Sequence, residues 1–337
     1  MKRQIASLAV LATLAACGDG QPIIQPSQAE LDAAAEQELD LPPGTEDAVA
    51  SGDIFRFEAR DEEGGGLVTD VSYNARRDTF RVDNLGFDGP NVYARKRGEL
   101  KTLGTARVYQ ARDTTPDFLT GKPVGQIVPY VALYGVSRAQ VDGAPRTSYA
   151  IVRTGGYAGF GFGGYVYERN GDVTLPDSGQ ATFSGDYAGL RVFGPGKGGL
   201  EYVTGDMSID IDFEDFNAND AVKGTIANRR FFDQDGERIR TSNEEGFLKN
   251  PNVNFVVQEG APSINDAGEI EAELRNFILN ADGEREIYEQ GTFTGIIAGD
   301  TTRGRGGEIV GVVKLTAEDP REEGTIMQET GGAILKR

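Results

Sequence analysis

From Ile54 to the end of the chain, hydrophobicity alternates with a period of two, in short segments broken by glycine-rich turns. That pattern constrains the fold most, because successive strand side chains point to opposite faces, whereas a helix needs a period near 3.6. The sharpest stretch interleaves Met207, Ile209, Ile211 and Phe213 with Asp206, Ser208, Asp210, Asp212 and Glu214. One face is apolar and the other acidic, as in a half-buried antiparallel strand. Strands are predicted at 181–193, 200–213, 222–232, 253–258, 269–277, 291–298, 308–315 and 325–334. Turn residues separate them at 194–198, 217–220, 235–236, 282–283 and 304–307. Eight short antiparallel strands with almost no helical period predict a closed barrel or a sandwich, and a barrel of this size fills its interior with side chains.

A first, smaller β unit precedes them, with strands predicted at 54–57, 67–73, 79–82, 106–110, 127–134, 148–153 and 160–168. The run Val173-Thr174-Leu175-Pro176-Asp177-Ser178-Gly179 is the clearest internal boundary. Glycine is abundant, 46 of 337 residues, about twice the ordinary share. Part of that excess forms a weak repeat, F-[S/T]-G-x-x-A-G, at Phe183–Gly189 and Phe293–Gly299. A glycine two residues after a phenylalanine shares its strand face, where it permits a sharp bend or lets an aromatic ring lie over it.

The amino terminus reads as an export signal. Met1-Lys2-Arg3 is followed by about twelve apolar residues, too few for a membrane-spanning helix, which needs about 20. The run ends Leu14-Ala15-Ala16-Cys17, which resembles the lipobox of bacterial lipoproteins. The resemblance implies removal of residues 1–16 and acylation of Cys17, the only cysteine, so the membrane is the first expected partner. An ordinary signal with a chance cysteine is the alternative. By analogy with enteric bacteria, Gly18 in place of Asp favours the outer membrane, at its periplasmic face or the cell surface. The mature chain loses Lys2 and Arg3 and no acid, so its charge moves from −19 to −21. Residues 17–53 hold nine acids and no Lys or Arg, with Pro22, Pro26, Pro42 and Pro43, and are expected to form a disordered acidic tether. Ser27 and Glu30 are placed to cap a short helix to about Asp40.

Composition closes several functions. The negative charge repels phosphate backbones, so no nucleic-acid partner is expected. The absence of histidine rules out His-based triads, and one cysteine cannot build a Cys/His metal cage. G-x-G-x-x-G occurs at Gly159–Gly164 and Gly194–Gly199, but neither precedes a helical pattern, so no nucleotide cofactor is expected. Asp215-Phe216-Asn217-Ala218-Asn219-Asp220 opens like a calcium loop, yet position six is Asp220 and position twelve Ile226, so no metal site is assigned. Asp206, Asp210 and Asp212 read as a solvated acidic face. No G-x-S-x-G or S-x-x-K anchors a serine nucleophile, and no catalytic residue is nominated. One local feature suggests contact: Tyr157, Phe160, Phe162, Tyr165 and Tyr167 among six glycines. Either Tyr157, Phe160, Phe162 and Tyr165 form a binding surface, or these rings cover the domain's own core.

The stretch from Pro176 to Gly189, of the form P-x-x-G-x-A-x-F-x-G, resembles the opening barrel strand of transferrin-binding-protein-B-like lipoproteins. Ile211-Asp212-Phe213 with Gly224-Thr225-Ile226, and Gly291–Gly295 with Glu308–Gly311, are similar to that family's barrel strands. The resemblance covers about 176–337. It implies an all-β fold: a handle-like β domain at 54–175, then an eight-stranded antiparallel barrel at 176–337. It further implies a non-enzymatic envelope lipoprotein that binds an unknown protein or small ligand, with no cofactor. A structural or adhesive lipoprotein and a carboxylate hydrolase stand as alternatives. Mass spectrometry of the mature amino terminus is expected to show acylated Cys17; an unmodified start would overturn the anchor.

Overall fold

The computed structural model describes residues 39–337 except 83–91, 113, 117–118, 126–129, 157–158, 195–196, 215–220, 241–246, 257–262, 281, 303 and 305. Cys17, the export segment, almost all of the helix expected after Ser27 and the calcium-like loop lie outside the described residues. The handle contains eight main strands: β1 Ile54–Phe57, β2 Val71–Asn74, β3 Thr79–Val82, β4 Val92–Arg95, β5 Ala106–Gln110, β6 Val131–Val136, β7 Thr147–Arg153 and β8 Gly163–Arg169. The barrel contains eight more: β9 Gln180–Gly194, β10 Leu200–Asp212, β11 Val222–Phe232, β12 Val253–Phe255, β13 Glu269–Leu279, β14 Arg285–Asp300, β15 Glu308–Glu318 and β16 Ile326–Lys336. Among the described residues the only helical turn is Glu99–Lys101.

Each barrel strand pairs antiparallel with the next, and β16 returns to β9 with Leu190 opposite Thr330, so no edge remains open. The eight expected strands are present. The β13–β14 hairpin is longer than its alternation suggested, with Leu279 paired to Arg285. The handle sheet runs β1-β8-β7-β6-β5-β4-β3-β2, a meander whose first strand folds back beside its last. Its β8 begins at Gly163, three residues later than expected, because Gly159 (φ +50°) and Gly161 (φ +89°) are left-handed and cannot extend the strand.

The two units share a wall. Val131, Leu133, Tyr149, Ile151, Tyr165 and Tyr167 of the handle pack on Ala188, Leu190, Val192, Tyr202, Ile296, Val310 and Val312 of the barrel's outer surface. The intervening residues Tyr130, Ala132, Tyr134, Ala150, Val152 and Val166 face the handle's own core with Phe80, Tyr93 and Tyr109. The central handle strands are therefore buried on both faces, which is why β7 reads Thr-Ser-Tyr-Ala-Ile-Val-Arg without a polar face. Inside the barrel, Phe183, Met207, Ile209, Ile226, Phe255, Phe293 and Leu315 fill one half. Phe293 lies over Gly295 and Gly311, where a Cβ would collide with its ring. In the other repeat copy, a Cβ on Gly185 would strike the Ile334 backbone carbonyl oxygen at 2.6 Å, so close backbone approach takes the place of an overlying ring.

The carboxyl-terminal part of the expected tether belongs to the folded body. Thr45 donates its N–H to the Phe55 carbonyl, Phe57 donates to Pro43, and Val173 donates to Ala50. Composition concealed this strap because most of its bonds are made by its own backbone, whatever side chains it carries. Tyr149 is closely fitted in the shared wall: a Cβ at Gly332 of β16 would stand 2.5 Å from its ring. Gly332→Val is expected to cost about 1–3 kcal/mol by overpacking, read as a lower denaturation midpoint. Gly304→Ala, in open space, is expected to leave the midpoint unchanged.

Candidate functional site

Charged side chains hold handle, strap and barrel together. Arg153 donates to both oxygens of Glu58, at 2.9 and 3.0 Å, and to Thr330 Oγ1 of the barrel at 3.0 Å. Lys314 of the barrel reaches the same carboxylate at 3.2 Å. Arg56 Nε donates to Glu269 at 2.7 Å. Ser137 and Thr147 both donate to Glu308 of β15. Arg169 spans all three parts, donating to the carbonyls of Val49 and Gly52 in the strap and of Ala267 and Ile297 in the barrel. Burial alone would raise the Glu58 pKa, but Arg153 and then Lys314 reverse this and hold it at about 2.

A second charged cluster fills the other half of the barrel. Arg229 pairs with Glu289 and with Glu329, and Tyr187 donates to Glu329 at 2.7 Å. Asn250 and Asn276 also donate to Glu289. Arg191 lies 4.3 Å from the centre of the Phe231 ring, 3.4 Å from Glu329 and 3.7 Å from Glu201. Glu201 accepts from Arg321 at 2.7 Å, and Arg321 is bound in turn by Asp319. Burial raises the Glu201 pKa against the pull of Arg191 and Arg321. The alternating charges thus run from the barrel interior to its mouth. They were legible only as charges at inward-facing positions, such as Arg191 two residues before inward Phe193.

The mouth opens as a cleft of about 490 Å³ between the turns after β9, β11 and β15, with Phe193, Glu201, Asp233, Asp319 and Arg321 among its walls. This is the end opposite the strap. Strands β9, β11, β13 and β15 rise towards it, and Phe247, Ile278, Leu279, Ile287 and Ile326 are exposed there. The hairpin Thr114–Pro116 with Pro123–Gly125, carrying exposed Leu119 and Val124, springs from the same end of β5 and β6. Leu279 and Leu119 are the most open, at 71 and 78 %.

The aromatic stretch is divided rather than presented as one surface. Tyr157 lies outside the described residues. Tyr165 is 8 % exposed and sits in the shared wall. Phe160 is half-buried against that wall, its ring against Gly194, and Phe162 packs on the handle core. Asp206, Asp210 and Asp212 lie on the barrel's outer face, paired with Asn228, Thr182 and Gln180. No cluster of metal-ligating side chains occurs among the described residues. No helix among them is long and apolar enough to cross a membrane.

No protein-family model matches the chain, and no curated protein matches its sequence. Among solved structures it is similar to transferrin-binding protein B. A double alanine mutant from Haemophilus parasuis Hp5 is 11 % identical with a TM-score of 0.34, over 81 % of this chain and 45 % of that one. Intact Ap-TbpB, with N and C lobes, is 12 % identical with a TM-score of 0.32, over 80 % and 46 %. A single alanine mutant from Haemophilus parasuis Hp5 is 11 % identical with a TM-score of 0.31, over 77 % and 51 %. The chain spans about half the length of these proteins, and its barrel and handle are established by their own strand pairing.

Glu58 supplies a pH test. Its folded pKa of about 2 lies below the ordinary 4.5, so its stabilisation is present above about pH 4.5 and is lost as pH falls towards 2. Denaturation midpoints measured across that window are expected to fall in the native chain. They are expected to fall less steeply in Glu58→Gln, which is less stable at neutral pH.

Proposed function

We propose that this chain is a lipid-anchored envelope protein that binds a partner protein without covalent chemistry, held on the outer membrane by Cys17. The polarity of the folded body carries this reading. The strap that continues from the tether grips one end, while most large exposed apolar side chains gather at the other. Scattered exposed apolar residues such as Val49 need no explanation, but a set gathered at one end marks an interaction surface. The β13–β14 hairpin contributes most: Phe277 pairs with Ile287, and Leu279 follows on the same strand face. A two-stranded ribbon is marginal by itself, so a ribbon with an exposed apolar face is completed by another surface. The strap lies at the end of the body away from this surface.

The similar structures are transferrin-binding proteins by name; no residue of this chain is assigned to transferrin. Chemical cross-linking on intact cells, followed by capture of the tagged chain, tests the reading. One reproducible partner is expected, lost in Leu279→Asp and Ile287→Asp but kept in Asp210→Asn on the outer wall. Equal capture by all variants would remove this surface. No specific partner at all would leave a structural envelope component as the better reading.

A further inference from the structure

The seam between handle and barrel holds a second cavity of about 340 Å³, at the small end of the range for ligand pockets, about 300–1,000 Å³. Neither unit makes it alone. Lys96, just after β4, and Val131, opening β6, come from the handle; Leu200, Tyr202, Gln234 and Asp235 come from the barrel. Lys96 Nζ donates to Tyr202 Oη and to the Gln234 carbonyl, both at 2.9 Å, and stands 4.8 Å from the centre of the Tyr202 ring. An ammonium has three donors, so two are occupied and one remains. Burial lowers the Lys96 pKa, with Asp235 and Asp233 opposing it. Asp235 makes no ion pair with Lys96 among the described residues, and this exposed residue lines the same cavity.

Two opposite charges on one small cavity, unpaired with each other, restrict what fits. A plain anion would meet the Asp235 carboxylate, and a plain cation would meet Lys96. A ligand carrying both charges is matched at both ends, and Val131 and Leu200 supply apolar walls between them. We propose that this seam cavity binds a free α-amino acid with an aliphatic side chain, its carboxylate on Lys96 and its ammonium towards Asp235. Tyr202 and the Gln234 carbonyl hold Lys96 in place, so the receptor for the carboxylate is set before the ligand arrives. The site goes beyond the partner reading above and needs neither the lipid anchor nor the exposed hairpin.

Titration calorimetry of the full mature chain with L-leucine, N-acetyl-L-leucine and L-leucinamide tests it. Leucine is expected to bind, and each capped form, which lacks one charge, to bind about tenfold weaker or less. Asp235→Asn is expected to weaken leucine and to strengthen N-acetyl-leucine, whose carboxylate no longer meets a like charge, so that the preference between them collapses. Asp235 lies on an exposed turn, so this variant keeps the fold, and Asp210→Asn on the outer wall is expected to behave as the native chain. Lys96 ties the two units together, so the carboxylate contact is read from leucinamide rather than from a Lys96 variant. Absence of leucine binding at millimolar concentration, or equal affinity for leucine and its capped forms, would overturn the site. Either result would leave the capture experiment with Leu279→Asp unaffected.

Discussion

A sheet buried on both faces supports everything else in this molecule. The central handle strands β6, β7 and β8 give alternate side chains to the handle core and to the barrel wall, so neither unit has a free apolar surface where they meet. Tyr149 in the space over Gly332 sets the distance between the layers. With no cysteine pair to staple the chain, apolar burial at about 25 cal/mol per Å² is the dominant favourable term.

Around that wall the charges are placed where they cannot be exchanged for water. Glu269 and Glu308 of the barrel are each buried beneath a handle donor, and Glu58 of the handle is buried between Arg153 of its own unit and Lys314 of the barrel. Inside the barrel, Arg229 is held by Glu289 and Glu329. Buried pairs of this kind add little net stability, because desolvation offsets attraction, but removing one partner leaves an uncompensated charge. Their effect is specificity of docking: a handle shifted by one residue would point its alternate side chains the wrong way and strand these charges. Rigidity at the seam is also what allows a cavity to be built from residues of both units.

The same arrangement separates the two ends. The strap is clamped by Arg169 through backbone carbonyls at one end, and the loops, the long hairpin and the mouth cleft occupy the other. Binding surfaces carried on loops above a rigid scaffold are a common division of labour. Tyr165, expected as a candidate contact, instead lies in the shared wall, while Leu279 and Ile287 fell between the strands expected at 269–277 and 291–298.

Period-two alternation determined the all-β class and the eight barrel strands, because strand side chains alternate whatever they pack against. It could not determine which apolar face meets which layer. Tyr165 and Tyr167 look the same in sequence whether they cover a core or face a ligand, and only the barrel wall opposite them decides. Nor could it place the strap, most of whose bonds are made by backbone groups that every sequence possesses. The inward charges of Arg191, Arg229, Glu289 and Glu329 are separated by up to 138 positions and meet only when the barrel closes. Long-range pairing is a property of the closed sheet, and local pattern carries no record of it.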